Sequence, residues 1–373
     1  MMMSKNLCEN FTILDLFSGI GGFSLALKPC AKTIAYAEIN PHAREIIEKQ
    51  MNEKFLERAP LFEDVRKISS KTFREKTQYN TVNIITAGFP CQDISVMNLK
   101  GLGLDGERSK LGYEVIRIGD ELKVPILFFE NSPQILHKGL SFFTQKLNEK
   151  GYDHAFDIFS AGQLGAPHLR KRFYMIAFRN DKKTKQILSE MSRNLMNAKD
   201  IVSEAWQNPP YTWWDQKKRK VVRKTYEREK DLKRRTFLLG NSIVPLTARY
   251  AFEVLANQIL KKKRGFVNVS KPASIFKYPF VMDVPYRYFI PNKDLDYPVR
   301  LIRPNLSTPL ASRWSACKIG STRACDILQN QILYDKKLFT SREKQKDDDI
   351  HERYIVNPAF LEWMMGYPVG YTY

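Results

Sequence analysis

A cysteine placed directly after an apolar run is the first residue of this sequence that could do chemistry. Cys91 stands in Gly-Phe-Pro-Cys-Gln-Asp, after the predicted strand Val82–Phe89. Open α/β sheets place their sites at the carboxyl ends of their strands. A thiol there acts as a nucleophile once its pKa falls below the usual value of about 8.5. The alternative is a buried structural cysteine, which is the commoner fate of an isolated one.

A carboxylate and two guanidinium groups lie next to other predicted strands. Glu130 follows the apolar run Ile126–Phe129, where burial would raise its pKa and suit it to proton donation. Arg170 and Arg172 alternate where the chain enters the predicted strand Phe173–Phe178, so we expect both side chains on one face. A cap or loop carboxylate and ordinary surface arginines are the alternatives.

A glycine cluster, Asp15-Leu-Phe-Ser-Gly-Ile-Gly-Gly, follows the first predicted strand and opens a helix. Glycine lets the backbone approach a ligand closely. The spacing is not the G-x-G-x-x-G of dinucleotide-binding turns. Glu38 ends the next strand, where its carboxylate could hold the hydroxyl groups of a ribose. A tight structural turn explains the cluster about equally well.

Short apolar runs alternate with helical patterns over residues 1 to 180, which predicts a mostly parallel sheet with helices on both faces. The fold class is therefore α/β. The predicted strands are Thr12–Phe17, Thr33–Ile39, Val82–Phe89, Ile126–Phe129, Tyr152–Ser160 and Phe173–Phe178.

Composition indicates a globular protein with a polyanionic partner. The chain has 373 residues, enough for two or three domains, and 60 Lys and Arg against 40 Asp and Glu give a formal charge of +20. Its five cysteines form no C-x-x-C, so neither a disulfide framework nor a thiolate zinc site is predicted. We find no apolar signal segment and no 18-residue apolar run, so we expect a cytoplasmic protein without membrane contact, with access to the nucleus in a eukaryotic host.

The second half of the chain changes character. Between Gln216 and Arg235 there are eleven basic and three acidic residues, a density that also occurs in solvated linkers. Ile243–Leu260 is predicted to be a helix, and the chain beyond Lys261 is rich in proline, tyrosine and arginine. A short helix follows Asn357.

These segments, in this order, resemble the DNA (cytosine-5) methyltransferases. The resemblance covers residues 10–180, 237–260 and 355–370. Six motifs carry it: Asp15-Leu-Phe-Ser-Gly-Ile-Gly-Gly, Glu38-Ile-Asn-Pro, Asp64-Val, Phe89-Pro-Cys-Gln, Glu130-Asn and Gln163-x-Gly-x-Pro-x-x-Arg-x-Arg, with Gly240-Asn-Ser-Ile-Val-Pro as a further match. The fold it implies is a Rossmann-like S-adenosylmethionine-dependent methyltransferase sheet with a smaller, loop-rich target-recognition domain.

The resemblance implies a reaction at C5 of cytosine. Cys91 would add to C6 as a thiolate. Glu130 would hydrogen-bond or protonate N3, Arg172 would hold O2, and Arg170 would support the same pocket. Because the target atoms lie inside the duplex, the base must be flipped out of the stack.

The implied methyl donor is S-adenosylmethionine, and no metal is required. The residues that the resemblance places against this cofactor are Phe17, Ser18, Gly19, Glu38, Ile39, Asp64, Val65, Pro90, Asn241 and Ser242.

The implied partner is double-stranded DNA, bound by a monomer. Gln92, Arg108 and Ser109 are the expected DNA contacts around a glycine-containing loop that closes over the flipped base. Basic residues would neutralise phosphates, and side chains of the recognition region would read base edges. Arg303, Arg313 and Arg323 are candidate base readers.

We predict four segments: a catalytic domain over 1–180, a basic connecting segment over 181–236, a segment over 237–262 that returns to the catalytic domain, and a target-recognition domain over 263–373. The chain departs from the family pattern in two ways. Ser132 stands where Val is usual, and Gly240-Asn-Ser precedes the recognition region instead of following it, an order that resembles phage and restriction–modification members.

Three alternatives remain open at this point. An RNA cytosine-5 methyltransferase shares the catalytic residues, although the long basic recognition region argues against it. A catalytically inactive DNA-binding homologue is disfavoured because all expected catalytic residues are present. A nicotinamide oxidoreductase is disfavoured by the glycine spacing.

Overall fold

The structure is a computed structural model. It describes residues 11–89, 110–136, 139–164, 166, 168–195, 206, 229–261, 358–368 and 370–372. At its centre is a seven-stranded sheet with the strand order β3-β2-β1-β4-β5-β7-β6. The strands are β1 Thr12–Leu16, β2 Lys32–Ala37, β3 Leu61–Phe62, β4 Ile84–Ala87, β5 Ile126–Asn131, β6 Asp153–Ser160 and β7 Lys171–Phe178.

The direction of the strands decides where a site can form. The pairs β1–β2, β2–β3, β1–β4 and β4–β5 are parallel, while β5 and β7 are antiparallel, with Glu130 opposite Tyr174. The chain runs outward from β1 to β3 and then returns to β4, so strand order reverses between β1 and β4. Ligands of such sheets bind beyond the carboxyl ends of the strands at this reversal. The predicted α/β class and Rossmann-like, mostly parallel sheet are thereby confirmed.

Helices follow most of the strands. They are α1 Gly22–Leu27, α2 Pro41–Asn52, α3 Ser70–Thr77, α4 Lys110–Glu121, α5 Leu140–Glu149, α6 Lys182–Leu195, α7 Glu229–Asn241, α8 Pro245–Lys261 and α9 Pro358–Met364. The side chain of Asn40 caps α2 by accepting from the amide of His42, and Pro41 occupies its first turn, where the missing N–H costs nothing.

Apolar side chains fill both faces of the sheet. On one face, Leu16, Leu127 and Phe129 pack with Val115 of α4. On the other, the ring of Phe128 contacts Phe23 of α1 and Phe252 of α8, with ring centroids 5.2 Å apart in each pair. Strands buried on both faces have continuous apolar sequences, which is why Ile126–Phe129 is so apolar.

The chain divides into two compact units. The first contains residues 1–159, 171–198 and 245–275, and so holds the sheet except for the last residue of β6. The second contains residues 160–170, 199–244 and 276–373.

Within the second unit, α9 packs on α7. The carboxylate of Glu362 is fully buried and accepts hydrogen bonds from Arg235 Nη2 at 3.2 Å, Gly370 N at 2.6 Å and Thr372 N at 2.7 Å. Trp206 Nε1 donates to the carbonyl of Trp363 at 3.0 Å. Residues 262–357, which make up most of the predicted target-recognition domain, lie outside the described part of the chain.

Strand β5 and helix α6 both differ from the sequence-based expectation. Strand β5 continues through Glu130 and Asn131, because both residues pair with β7. Helix α6 occupies the start of the segment predicted to be a basic connection, and it buries Ile187, Leu188 and Met191. Lys182 and Lys183 are exposed and Lys185 is half-buried, so this charge-rich segment is an amphipathic helix.

Candidate active site

A tight turn follows β1. Phe17, Gly19 and Gly21 have φ angles of 52°, 55° and 86°, a left-handed conformation that glycine adopts without strain. Ser18 fixes the turn, because its amide donates to Ala37 O at 3.0 Å and its hydroxyl donates to Asp15 O at 2.6 Å. The turn is thereby tied to both β1 and β2.

Glu38 closes this turn from the end of β2. Its Oε2 accepts from the amide of Gly19 at 2.8 Å, and its Oε1 accepts from the amide of Asn40 at 2.8 Å. Burial raises the pKa of the Glu38 carboxyl, and these amide hydrogen bonds oppose the shift. Among the described residues, no heavy atom lies within 4 Å of the position that a Cβ on Gly19 would occupy, so these residues leave open space above the turn.

Apolar and acidic side chains border the same strand ends. Ile39 follows Glu38 and is 65% exposed, which is unusual for an isoleucine beside a buried strand. Asp64 caps the short 3₁₀ turn Val65–Lys67, and Val65 itself is buried. Arg66 donates to both oxygens of Asp64 at 2.6–3.0 Å and lowers the pKa of that carboxyl.

These residues fit an adenosine-containing cofactor. A half-buried carboxylate at the end of β2 can accept from ribose hydroxyls, an exposed isoleucine offers an apolar face for a flat base, and the glycine turn leaves open space above it. The predicted roles of Phe17, Ser18, Gly19, Glu38, Ile39, Asp64 and Val65 remain predictions.

An ion pair joins the two residues expected to hold the target base. Arg172 Nε lies 3.0 Å from Glu130 Oε1, and both side chains are largely shielded from solvent. The antiparallel register explains the contact, because the end of β5 lies beside the start of β7. The carboxylate and the guanidinium are thus presented together at one edge of the sheet.

Asn131 ties the end of β5 to the chain just after β4. Its Nδ2 donates to Phe89 O at 3.1 Å, and its Oδ1 accepts from the amide of Ser132 at 2.8 Å. Phe89 is the last described residue before Pro90 and Cys91. Sequence reasoning quoted Asn131 as part of the Glu-Asn pair but gave it no role.

Arg170 and Arg172 contact different elements, contrary to the expectation that they share one face. Strand β7 begins at Lys171, and Arg170 before it has a φ of 30°, so the alternation of a strand does not extend to it. Arg170 is 4% exposed, and its Nη2 donates to the carbonyls of Gly240, at 3.0 Å, and Ser242. It therefore holds the Gly-Asn-Ser segment of the second unit.

The Gly-Asn-Ser segment forms the end of α7. Asn241 is exposed, and the hydroxyl of the buried Ser242 donates to Leu239 O at 2.8 Å. Their expected contact with the cofactor stays a prediction.

Asp15 is a buried acid to which sequence reasoning gave no role, although it opens the glycine motif. Its side chain is 0% exposed and accepts from Ser24 Oγ at 2.8 Å and Thr86 Oγ1 at 2.7 Å. Burial raises its pKa to about 7, against the effect of these hydroxyls.

Several predicted residues lie outside the described part of the chain. They are Cys91, Pro90, Gln92, Arg108, Ser109 and the candidate base readers Arg303, Arg313 and Arg323. Within the described residues, no group of three or more His, Cys, Asp or Glu side chains could hold a metal ion. No helix of that same part is both long and apolar enough to span a membrane.

The curated proteins that are similar to this chain include type II methyltransferases from a virus and from bacteria. M.CviJI of Paramecium bursaria Chlorella virus IL3A is 30% identical over 246 residues, which cover 65% of this chain and 59% of that protein. M.HhaI of Haemophilus parahaemolyticus is 32% identical over 173 residues, 45% of this chain and 49% of that protein. M.MspI of Moraxella sp. is 29% identical over 198 residues, 52% of this chain and 44% of that protein. The chain thus spans between 44% and 59% of the length of these relatives.

A family model gives the broader match. The model for C-5 cytosine-specific DNA methylases matches residues 11–283, which is well over half of the chain. The match includes the glycine turn, the Glu130–Arg172 pair and the Gly-Asn-Ser segment described above. This chain therefore belongs to the C-5 cytosine-specific DNA methylase family.

Proposed function

We propose that this protein transfers a methyl group from S-adenosylmethionine to C5 of cytosine in double-stranded DNA. The observation that carries the proposal is the Glu130–Arg172 ion pair. The pair lies at the end of β5, where Asn131 donates to the carbonyl of Phe89. Phe89 is two residues before Cys91 of the Phe-Pro-Cys-Gln motif. A carboxylate, a guanidinium and a thiol are the groups that attack on a pyrimidine ring requires.

The glycine turn and Glu38 would bind the cofactor. The carboxylate would accept from the ribose hydroxyls, Ile39 would cover one face of the adenine, and the turn amides would lie against the rest of the molecule. Asp64 would accept a hydrogen bond from the adenine, and it would then give up part of its contact with Arg66. Asn241 and Ser242 are further candidate contacts. When bound, S-adenosylmethionine supplies an electrophilic methyl group.

Cys91 would supply the nucleophile. Cytosine C5 is too weak a nucleophile to take a methyl group unaided. Addition of the Cys91 thiolate to C6 turns C5 into an enamine carbon, while Glu130 hydrogen-bonds or protonates N3 and Arg172 holds O2. After methyl transfer, a base removes the C5 proton and the C6–S bond breaks, which releases 5-methylcytosine and the free thiolate.

Arg170 would act as a positioning residue in this scheme. Its guanidinium binds the carbonyls on either side of Asn241, so it fixes the segment that carries two candidate cofactor contacts. Its expected support of the pocket that holds Arg172 stays a prediction.

Duplex DNA suits the charge of the molecule. A formal charge of +20 favours a polyanion. Gln92, Arg108 and Ser109 would contact the DNA around the flipped base, and the region 263–373 would read the sequence. Because the relatives named above are type II methyltransferases, the role we propose is protection of DNA in a restriction–modification or viral setting.

Methyl incorporation tests the function directly. The purified protein should transfer tritiated methyl groups from S-adenosylmethionine to duplex DNA and not to transfer RNA. Cys91→Ser should abolish transfer, whereas Cys30→Ser, at a buried cysteine that donates to Leu27 O, should retain it. DNA with 5-fluorocytosine at the target should form a stable covalent adduct, because C5 then has no proton to lose. Transfer to RNA alone, or DNA binding without any incorporation, would replace the proposal by one of the alternatives.

A further inference from the structure

A fully buried carboxylate lies directly beneath the candidate cofactor turn. Asp15 precedes the last residue of β1 and has no exposed surface. Its hydrogen bonds come from the hydroxyl of Ser24 in α1, the hydroxyl of Thr86 in β4 and the amide of Ser24. All of these donors are neutral, so within the described residues this buried charge has no cationic hydrogen-bond partner. Carboxylates are seldom fully buried without one.

The surrounding charges do not compensate either. Glu38, at the end of β2, raises the pKa of Asp15 further. The charge of Asp15 in turn raises the pKa of Tyr36 in the same strand. Thr33, Ser24 and Thr86 are neutral. The pKa of about 7 that follows means that a small change in local charge changes the proton occupancy of Asp15 near neutral pH.

The direction of the hydrogen bonds depends on that proton. Thr33 Oγ1 donates to Ser24 Oγ at 2.9 Å, and Ser24 Oγ donates in turn to Asp15 Oδ2. This chain requires Asp15 to accept. A protonated carboxyl group must donate to one of its two hydroxyl partners, whose own hydrogen then needs another acceptor.

The same network supports the turn. The backbone carbonyl of Asp15 accepts from Ser18 Oγ at 2.6 Å, and Ser24 lies in the first turn of α1, which begins at Gly22 directly after the glycine turn. A rearrangement at the Asp15 carboxylate therefore acts on both ends of residues 17–22.

We propose that Asp15 is a positioning residue whose ionised form is the one that binds the cofactor, so that cofactor binding at the 17–21 turn releases a proton from Asp15. The inference rests on the proposed function. S-adenosylmethionine carries a sulfonium, an ammonium and a carboxylate, a net charge of about +1, and a cation favours the ionised form of a nearby acid. The demethylated product, S-adenosylhomocysteine, lacks the sulfonium and should couple less strongly.

Calorimetric titration of the full chain with S-adenosylmethionine at pH 6, 7 and 8 tests the coupling. We expect affinity to fall about fivefold from pH 8 to pH 6, with proton release seen as a dependence of the heat on the ionisation enthalpy of the buffer. Asp15→Asn keeps the shape and removes the titration, so its affinity should lose this pH dependence. Because the ligand titrates identically with both proteins, the difference between them isolates Asp15. Glu38→Gln, by contrast, should lower affinity at every pH.

A second variant covers the case in which Asp15→Asn fails to fold. Thr86→Val removes one stabilising hydroxyl, so the midpoint of the affinity profile should move to higher pH. In the cofactor-free wild type, the carboxyl ¹³C resonance of Asp15 should titrate near neutral pH. In Thr86→Val, the midpoint of this titration should move to higher pH, as the midpoint of the affinity profile does. Equal pH profiles for the wild type and Asp15→Asn would overturn the inference and leave the proposed function standing. Failure of both proteins to bind at any pH would overturn the proposed function itself.

Discussion

At the scale of single residues, burial makes the ionised carboxylate of Asp15, next to the glycine turn, energetically unfavourable. The Asp15 carboxylate has a pKa of about 7 in the folded chain against 3.8 as its ordinary value. Between these two values the folded state binds more protons than the unfolded state, so this residue makes the protein less stable as pH rises from about 4 to about 7.

Asp15→Asn should therefore stabilise the protein in neutral and alkaline buffer. The amide avoids burying a charge, and we expect the free energy of unfolding at pH 8 to rise by on the order of 1–3 kcal/mol. The gain should shrink towards pH 4, where wild-type Asp15 approaches full protonation in the folded and the unfolded state alike. Urea unfolding at pH 5 and pH 8 measures the difference. A loss of stability at pH 8 would show that the two hydroxyl hydrogen bonds outweigh the buried charge.

Asn131→Ala should impair catalysis more than cofactor binding. The change removes the donor to Phe89 O and the acceptor for the Ser132 amide, at a cost of about 1–3 kcal/mol in stability. Because Phe89 leads into Pro90 and Cys91, we expect kcat for methyl transfer to fall at least about tenfold with an unchanged Kd for S-adenosylmethionine.

Ser132→Val is the matched control for Asn131→Ala, because it keeps the Ser132 backbone amide and introduces the usual family residue. It should retain both kcat and stability. If Asn131→Ala kept the wild-type kcat, the bond to Phe89 would have no part in catalysis.

At the scale of elements, the sequence predicts those strands whose burial is continuous. Strand β5 was recognisable from Ile126–Phe129, and β1 from an apolar run that ends in glycines. The two-residue strand β3, Leu61–Phe62, is too short to show periodicity. Helix α6 was missed because its charged face dominates the composition, whereas its buried face is visible only at helical spacing.

The sequence likewise predicts those site residues that follow a strand, but not the contacts between distant segments. Strand ends indicated Glu38 and Glu130, since strand position follows from local sequence. The contact of Arg170 with Gly240 and Ser242 joins residues about seventy positions apart, and its positive φ breaks the alternation on which the prediction relied. The burial of Asp15 depends on hydroxyls from two other elements, which no local pattern indicates.

Arg170→Ala should loosen the Gly-Asn-Ser segment. Two buried carbonyls lose a charged donor, and we expect the free energy of unfolding to fall by about 2–4 kcal/mol. Arg193→Ala, at an exposed position on α6, should change it by less than about 0.5 kcal/mol. Chemical denaturation compares the two variants. Equal stabilities would mean that water replaces the guanidinium at these carbonyls.

Glu362→Gln should weaken the packing of α9 on α7. The amide has one acceptor oxygen in place of the two that bind Arg235, Gly370 and Thr372, and Arg235 stays buried without its counter-charge, a loss of about 3–5 kcal/mol. Limited proteolysis should then cleave near residue 358 faster than in the wild type. Glu45→Gln, at an exposed carboxylate, is the control and should leave the cleavage rate unchanged.

At the scale of the whole molecule, the excess of positive charge should govern DNA binding. With a formal charge of +20, the affinity for a duplex oligonucleotide should fall by a factor on the order of 10³ or more between 50 and 200 mM salt, because phosphate contacts release counterions. Fluorescence anisotropy across this range measures the slope. A flat salt dependence would remove the polyanion argument from the proposed function.

The reversed direction of β7 has a consequence for how this molecule can vary. The Glu130–Arg172 distance is set by the register between β5 and β7, and not by the forty or so residues that the chain travels between them. Loops within that stretch can lengthen by insertion or shorten by deletion without displacing the carboxylate from the guanidinium. The Glu130–Arg172 pair is thereby independent of loop length, so the loops on either side of α5 and β6 can accept new sequence.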